Sequence, residues 1–140
     1  MPIDYREYHP KWTLISRLIR SKRAGNKCEW CGIENGAVIK RLPDGTYRRP
    51  GHQEWDMIHC RIKYSHSNMT ESLKYHGFTK IVLTVAHLNG DKTKNIFSNL
   101  AALCQKCHLN HDIGHHIMNR KYGRNHNRKH QLKLFQTLNQ

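Results

Sequence analysis

The sequence predicts an α+β fold in a single domain over residues 1–140, held together by a metal. Three observations predict it. Two Cys-x-x-Cys pairs stand far apart, Cys28-Glu29-Trp30-Cys31 and Cys104-Gln105-Lys106-Cys107. The run from Phe78 to Ala86 is rich in Ile, Val, Leu and Thr, as strands are. Helical spacing of apolar residues marks positions 10–24, and good helix formers follow Asn99. Apolar residues make up only 37% of the chain, so its core is small. A structural zinc, worth about 10–16 kcal/mol in small peptides, matches the whole stability of a typical domain, about 5–15 kcal/mol.

The elements follow in chain order. Pro10 suits a first helical turn, Trp12, Ile15 and Ile19 recur at helical spacing with Leu14 and Leu18 beside them, and Gly25 can close the helix. Arg17, Arg20, Lys22 and Arg23 give it a basic side, fit either for solvent or for a phosphate backbone. A zinc knuckle and hairpin are expected over residues 28–50. Asn35-Gly36 turns the chain, and Asp44-Gly45 sits between Val38-Ile39 and Thr46-Tyr47. Residues 51–77 carry little signal beyond a short helix near Thr70–His76 ended by Gly77; the rest reads as loop. Asn89-Gly90-Asp91 turns the chain after the strand at 78–86. Ser98 or Asn99 can cap a helix that begins at Leu100 and runs to about Tyr122. A basic tail, 123–140, carries Arg124, Arg128 and Lys129, with Leu132, Leu134, Phe135 and Leu138 available for a last docked turn.

Charge narrows the partners. The net charge is +14, and from Ser72 onward eleven Lys and Arg face two acids, Asp91 and Asp112. A polyanion is the natural partner, because neutralising phosphates releases condensed counterions. No apolar run approaches the roughly 20 residues that span a bilayer, and Met1–Glu7 does not resemble a signal peptide. The expected setting is therefore the cytoplasm, without membrane contact. Thiols stay reduced there, and spaced Cys pairs bind metal more often than they form disulfides. Zn²⁺ is the expected ion: four thiolates complete its tetrahedron and leave no position open for substrate, so its role is structural. Cys60, the fifth cysteine, is expected as a free, partly buried thiol.

Beside the second pair lie His87, Asn99 twelve residues on, and His108 nine residues further. Each alone has a plain structural use, Asn99 as a helix cap for example. Together they suit phosphodiester hydrolysis, where a neutral His near pH 7 can activate water and an ion can carry developing charge. The run Val85-Ala86-His87-Leu88-Asn89-Gly90-Asp91, then Asn99-Leu100-Ala101-Ala102-Leu103-Cys104-Gln105-Lys106-Cys107-His108, resembles the motif of the HNH endonucleases in their zinc-containing form, common in bacterial and phage proteins. The resemblance implies a ββα-metal (His-Me finger) core over about 78–122, preceded by the N-terminal helix and a hairpin-containing insertion. It implies His87 as general base, Asn99 as the brace of the loop, and His108 as ligand of a catalytic Mg²⁺ or other divalent ion. The implied substrate is double-stranded DNA, nicked or cut through. Many members carry Asp before the first His, where this chain has Ala86. Asp112, one turn beyond His108, and Asp91 are the candidate replacements. Two other functions stay open: a zinc-stabilised nucleic-acid-binding protein without cleavage, and an RNA-directed nuclease.

Overall fold

The computed structural model describes residues 8–123; the readings made on Met1–Glu7 and on the tail from Arg124, including Leu132, Leu134, Phe135 and Leu138, lie outside it. The architecture is α+β, with short helices around two small antiparallel sheets. The chain divides into two compact units, Met1–Gln105 and Lys106–Gln140.

The first unit opens with α1, Trp12–Leu18, which continues as a π-helical turn, Ile19–Arg23. Ile19 is buried with Leu100 and Ala102, and Trp12, Ile15, Ala24 and Val85 pack around them. The helix stops where Gly25 and Asn26 both turn left-handed, at φ +56° and +58°. The knuckle follows: Cys28 N–H donates to Ile33 O at 2.9 Å and Gly32 N–H returns to Cys28 O at 2.8 Å.

Strands β1, Val38–Arg41, and β2, Tyr47–Arg48, form the expected hairpin. Its turn is chemically over-determined. Asp44 Oδ1 accepts from Thr46 N at 2.9 Å and Thr46 Oγ1 at 2.6 Å, and Gly45 supplies φ +86°. Strand β3, Thr79–Lys80, pairs on the other side of β1, giving the order β2-β1-β3.

Between the hairpin and β3 the structure corrects the expectation of loop. Residues His52–Ser65 form α2, and Met69–Tyr75 form α3. Trp55, Ile58 and Ile62 recur along one face of α2, and with Leu73, Phe78 and Val38 they make the second small core. The caps are specific. Glu54 Oε2 accepts from Gly51 N at 2.9 Å, and Asn68 Oδ1 accepts from Glu71 N at 2.9 Å. Ser72 Oγ, fully buried, donates to Ile58 O at 2.8 Å and ties the two helices. Cys60, on α2, is exposed rather than partly buried.

The run expected as one strand over 78–86 is broken. After β3 the chain leaves the first sheet, and β4, Thr84–His87, joins a second. The crossing residues keep their hydrogen bonds without a ladder: Ile81 N–H donates to Ala37 O at 2.8 Å and Leu83 N–H to Asn35 Oδ1 at 3.0 Å. The partner of β4 is β5, Leu100–Leu103, in the register His87↔Leu100 through Thr84↔Leu103. This overturns the helix expected to begin at Leu100. All four residues of β5 are buried. Its other edge is taken by Glu29, whose N–H donates to Ala102 O at 2.9 Å and whose carboxylate accepts from Ala102 N at 2.5 Å. A strand buried between two such partners outweighs the intrinsic helix preference of Leu-Ala-Ala-Leu, a few tenths of a kcal/mol per residue.

Helix α4 runs from Gln105 to Tyr122, five residues later than expected at its start, and exposes most of its surface. Among the described residues no helix is long and apolar enough to cross a membrane.

Candidate metal centre and active site

The four cysteines of the two pairs converge. Their Sγ atoms all lie within 4.8 Å of one another, with Cys28 and Cys104 buried, Cys107 half-buried and Cys31 exposed. Each pair is presented by a different device. Cys28 and Cys31 flank the knuckle turn, while Cys104 directly follows β5 and Cys107 sits in the first turn of α4. The geometry fits zinc. Zn–S bonds of about 2.3 Å in a tetrahedron place sulfurs about 3.8 Å apart, and Cys31 Sγ lies 3.7 Å from Cys104 Sγ. The donor set also favours thiolate. Burial works against charge on Cys28, yet the backbone N–H groups of Cys104, Cys31 and Trp30 outweigh it and bring the thiol down to about 7. One of those donors, Cys104 N–H, reaches Cys28 Sγ at 3.3 Å. Glu29 and Trp30, inside the first pair, divide the remaining work: Trp30 is half exposed, and Glu29 receives Arg23 through both Nε (2.9 Å) and Nη2 (2.7 Å). Arg23 in turn donates to the carbonyls of Phe97 (Nη1, 2.7 Å) and Leu100. The knuckle, the first helix and the β4–β5 hairpin are thereby one hydrogen-bonded body within the first unit.

His87 ends β4 and is buried, 9% exposed. Trp12 stacks on its ring at 4.9 Å between centroids and 22° between planes, with Tyr8 at 6.0 Å. Its Nε2 lies 2.9 Å from Asn95 Oδ1. The tautomer follows from the amide. Asn95 Nδ2 donates to the carbonyls of Thr93 (3.1 Å) and Lys92 (3.4 Å), so its oxygen faces the imidazole. Only an N–H can meet that oxygen, and neutral His87 therefore carries its proton on Nε2 and its lone pair on Nδ1.

Asn99, 8% exposed, holds the twelve-residue connection between β4 and β5 closed. Its Nδ2 donates to Asn89 Oδ1 and to Lys94 O, both at 2.8 Å, and its Oδ1 accepts from Asn89 N at 3.0 Å. Its backbone joins in: Leu88 N–H donates to Asn99 O at 2.8 Å. It is thus a brace within the loop and not the cap of a helix. Asp91 is used locally. Its Oδ1 accepts from Thr93 Oγ1 at 2.6 Å and Thr93 N at 2.9 Å, and the Thr93 hydroxyl bond leads the causes that hold its carboxyl below the usual range.

On α4, Asp112 links two imidazoles. Its Oδ2 lies 3.2 Å from His108 Nε2, one turn earlier, and its Oδ1 lies 2.7 Å from His111 Nδ1. Among the described residues, the cysteine cluster is the group of three or more Cys, His, Asp or Glu side chains drawn close enough to hold an ion. Sequence reasoning did not single out Asn95, Trp12 as a ring partner, or Glu29 as an edge partner. Nothing local in Lys94-Asn95-Ile96 marks Asn95, because its role exists only once the loop is closed.

No family model, curated protein or solved structure matches this chain.

Proposed function

We propose that the chain is a zinc-stabilised, metal-dependent endonuclease of the HNH, ββα-metal type, acting on double-stranded DNA. One observation carries this reading: a buried His at the end of a strand, fixed by Asn95 as the tautomer whose basic Nδ1 is left to accept a proton, in a loop clamped by Asn99. A general base needs a fixed imidazole with one nitrogen open to a proton, and this arrangement supplies it. The chain order, hairpin β4–β5 then α4, together with the four-cysteine cluster, supports the same type.

In this reading His87 Nδ1 takes the proton of the attacking water, while Asn95 accepts the Nε2–H bond and steadies the imidazolium that forms. Trp12 restricts the ring to one plane. His108 and Asp112 would hold the divalent ion: their Nε2 and Oδ2 stand 3.2 Å apart, against about 3.0 Å for neighbouring positions of a Mg²⁺ octahedron with bonds near 2.1 Å. Such an ion would supply Lewis-acid stabilisation of the negative charge on the phosphate oxygens and on the departing 3′ oxygen. Basic residues, Lys92 and Lys94 on the loop and Arg17 and Lys22 on or after α1, are exposed and suit the phosphate backbone.

The test is supercoiled plasmid with Mg²⁺ or without added divalent ion, for wild type and His87→Ala. Nicking that needs both Mg²⁺ and His87 is expected. No nicking, or equal nicking by the variant, ends the enzyme reading. Ala86 favours a second reading. It is buried against the core, 2% exposed, where many of the resembled proteins carry a metal-binding Asp; binding of DNA or RNA without cleavage is the outcome that would support it. Competition between labelled DNA and RNA separates the remaining RNA-directed alternative.

A further inference from the structure

Two large apolar side chains stand out on the loop that carries Asn95. Ile96 is 62% exposed and Phe97 64%. A single exposed apolar residue is ordinary, but these two are adjacent and held outward by a rigid backbone. Asn99 N–H donates to Ile96 O at 3.0 Å, Arg23 Nη1 donates to Phe97 O at 2.7 Å, and Asn99 Nδ2 fixes Lys94 O at 2.8 Å. The Arg23 guanidinium lies 4.7 Å from the Phe97 ring centre, over one face. Exposed Lys92 and Lys94 precede the pair. An apolar tip rimmed by cations is wrong for a protein core and right for a stack of bases beneath two phosphate chains.

We infer that Ile96 and Phe97 form a wedge that enters the base stack of duplex DNA beside the bond cleaved at His87, unstacking one step and bending the helix. Apolar wedges flanked by basic residues unstack and kink duplexes in this way. The inference rests on the nucleic-acid reading above and deepens it. Proximity sets the place. Asn95 touches His87 at 2.9 Å, and two further residues extend at most about 7 Å, so the opened step lies within about four base steps of the reacting phosphate at ~3.4 Å each. Specificity would then come from deformability. Pyrimidine–purine steps such as TA open cheaply and A-tracts resist, so the chain would choose sites by flexibility and not by hydrogen bonds to base edges.

The experiment uses the zinc-loaded chain with short duplexes, labelled at both ends for energy transfer, in Ca²⁺ buffer. One duplex carries central TA steps and one an A-tract. Wild type is expected to shorten the end-to-end distance and to prefer the TA duplex by about 5-fold or more. Ile96→Ser/Phe97→Ser should bind unbent DNA, at least about 5-fold more weakly, with no preference, while zinc content and circular dichroism stay as in wild type. Ile96→Leu/Phe97→Leu should restore bending. Wild type that binds without bending, or a serine variant that bends as wild type does, overturns the wedge whether or not DNA is cut. Wild type that binds no duplex overturns the DNA reading itself, and the wedge with it.

Discussion

Replacing Asn99 by Ala tests the loop on which the reading of His87 depends. The side chain makes three hydrogen bonds, two donated by Nδ2 at 2.8 Å and one accepted by Oδ1 at 3.0 Å, and it is 8% exposed. A typical intramolecular hydrogen bond is worth about 1 kcal/mol net, and a buried group left without its partner costs about 1–3 kcal/mol. Asn99→Ala is therefore expected to cost about 2–4 kcal/mol, a large share of the roughly 5–15 kcal/mol that a domain has. Asn99→Asp should be no better. It keeps the bond from Asn89 N–H but turns a carboxylate oxygen toward Asn89 Oδ1 and Lys94 O, two acceptors. The assay is urea unfolding of the zinc-loaded protein, with amide hydrogen exchange read at Leu88 and Asn89. In Asn99→Ala both amides should exchange faster: Asn89 N–H loses its acceptor, the side-chain Oδ1, and Leu88 N–H, bound to the Asn99 backbone carbonyl, belongs to a loop that then opens more often. A loss below about 0.5 kcal/mol, the range of neutral surface changes, with unchanged exchange at those amides, would refute the brace.

Further outcomes follow from the same geometry. Binding of one zinc per chain is expected, and Cys28→Ser or Cys104→Ser should abolish it and unfold the protein at room temperature; a folded, metal-free variant would remove the metal scaffold. Asn95→Ala should let His87 populate both neutral tautomers, seen as averaging of its two ring-nitrogen NMR shifts, whereas Asn95→Asp should keep the Nε2–H form; an unchanged tautomer in the Ala variant would dismiss Asn95 as the orienting group. Glu29→Ala, which frees Arg23 and the Ala102 N–H, should cost about 2–3 kcal/mol by urea unfolding, and a neutral result would show that the β5 edge holds without it. Glu54 supplies a pH signature. The Arg48 guanidinium first, then the Gly51 N–H, hold its carboxyl down at about 2 from 4.5. A depressed folded-state value means stability that is fully present above about 4.5 and lost as pH falls toward about 2. The stability difference between wild type and Glu54→Gln should therefore shrink across that window and close at its acid end; a difference constant with pH would contradict it.

Local chemistry explains what was legible along the chain. Asp44-Gly45 between short β-prone runs gave the β1–β2 hairpin because the turn needs only its own residues, Asp44, Gly45 and Thr46. Gly77 ended α3 for the same reason. Helix α2 was a weaker case: Trp55, Ile58 and Ile62 recur at helical spacing, but His, Lys and Arg around them hide the stripe until Leu73 and Phe78 supply a core to bury it. Leu100–Leu103 was misread because its four residues favour helix in isolation, and only β4 and Glu29, distant in sequence, make it a strand. The π-helical turn at Ile19–Arg23 has no marker in the sequence either.

By itself the sequence determined the four-cysteine set, since two Cys-x-x-Cys pairs carry their spacing with them, and it determined the basic charge and the turns whose residues act on immediate neighbours. The tertiary structure alone decided the state of the candidate base. The Nε2 proton of His87 depends on which way the Asn95 amide faces, and that depends on carbonyls from Lys92 and Thr93 inside a loop that Asn99 closes. Hydrogen-bond direction of this kind is a property of assembled neighbours, and residue spacing does not encode it.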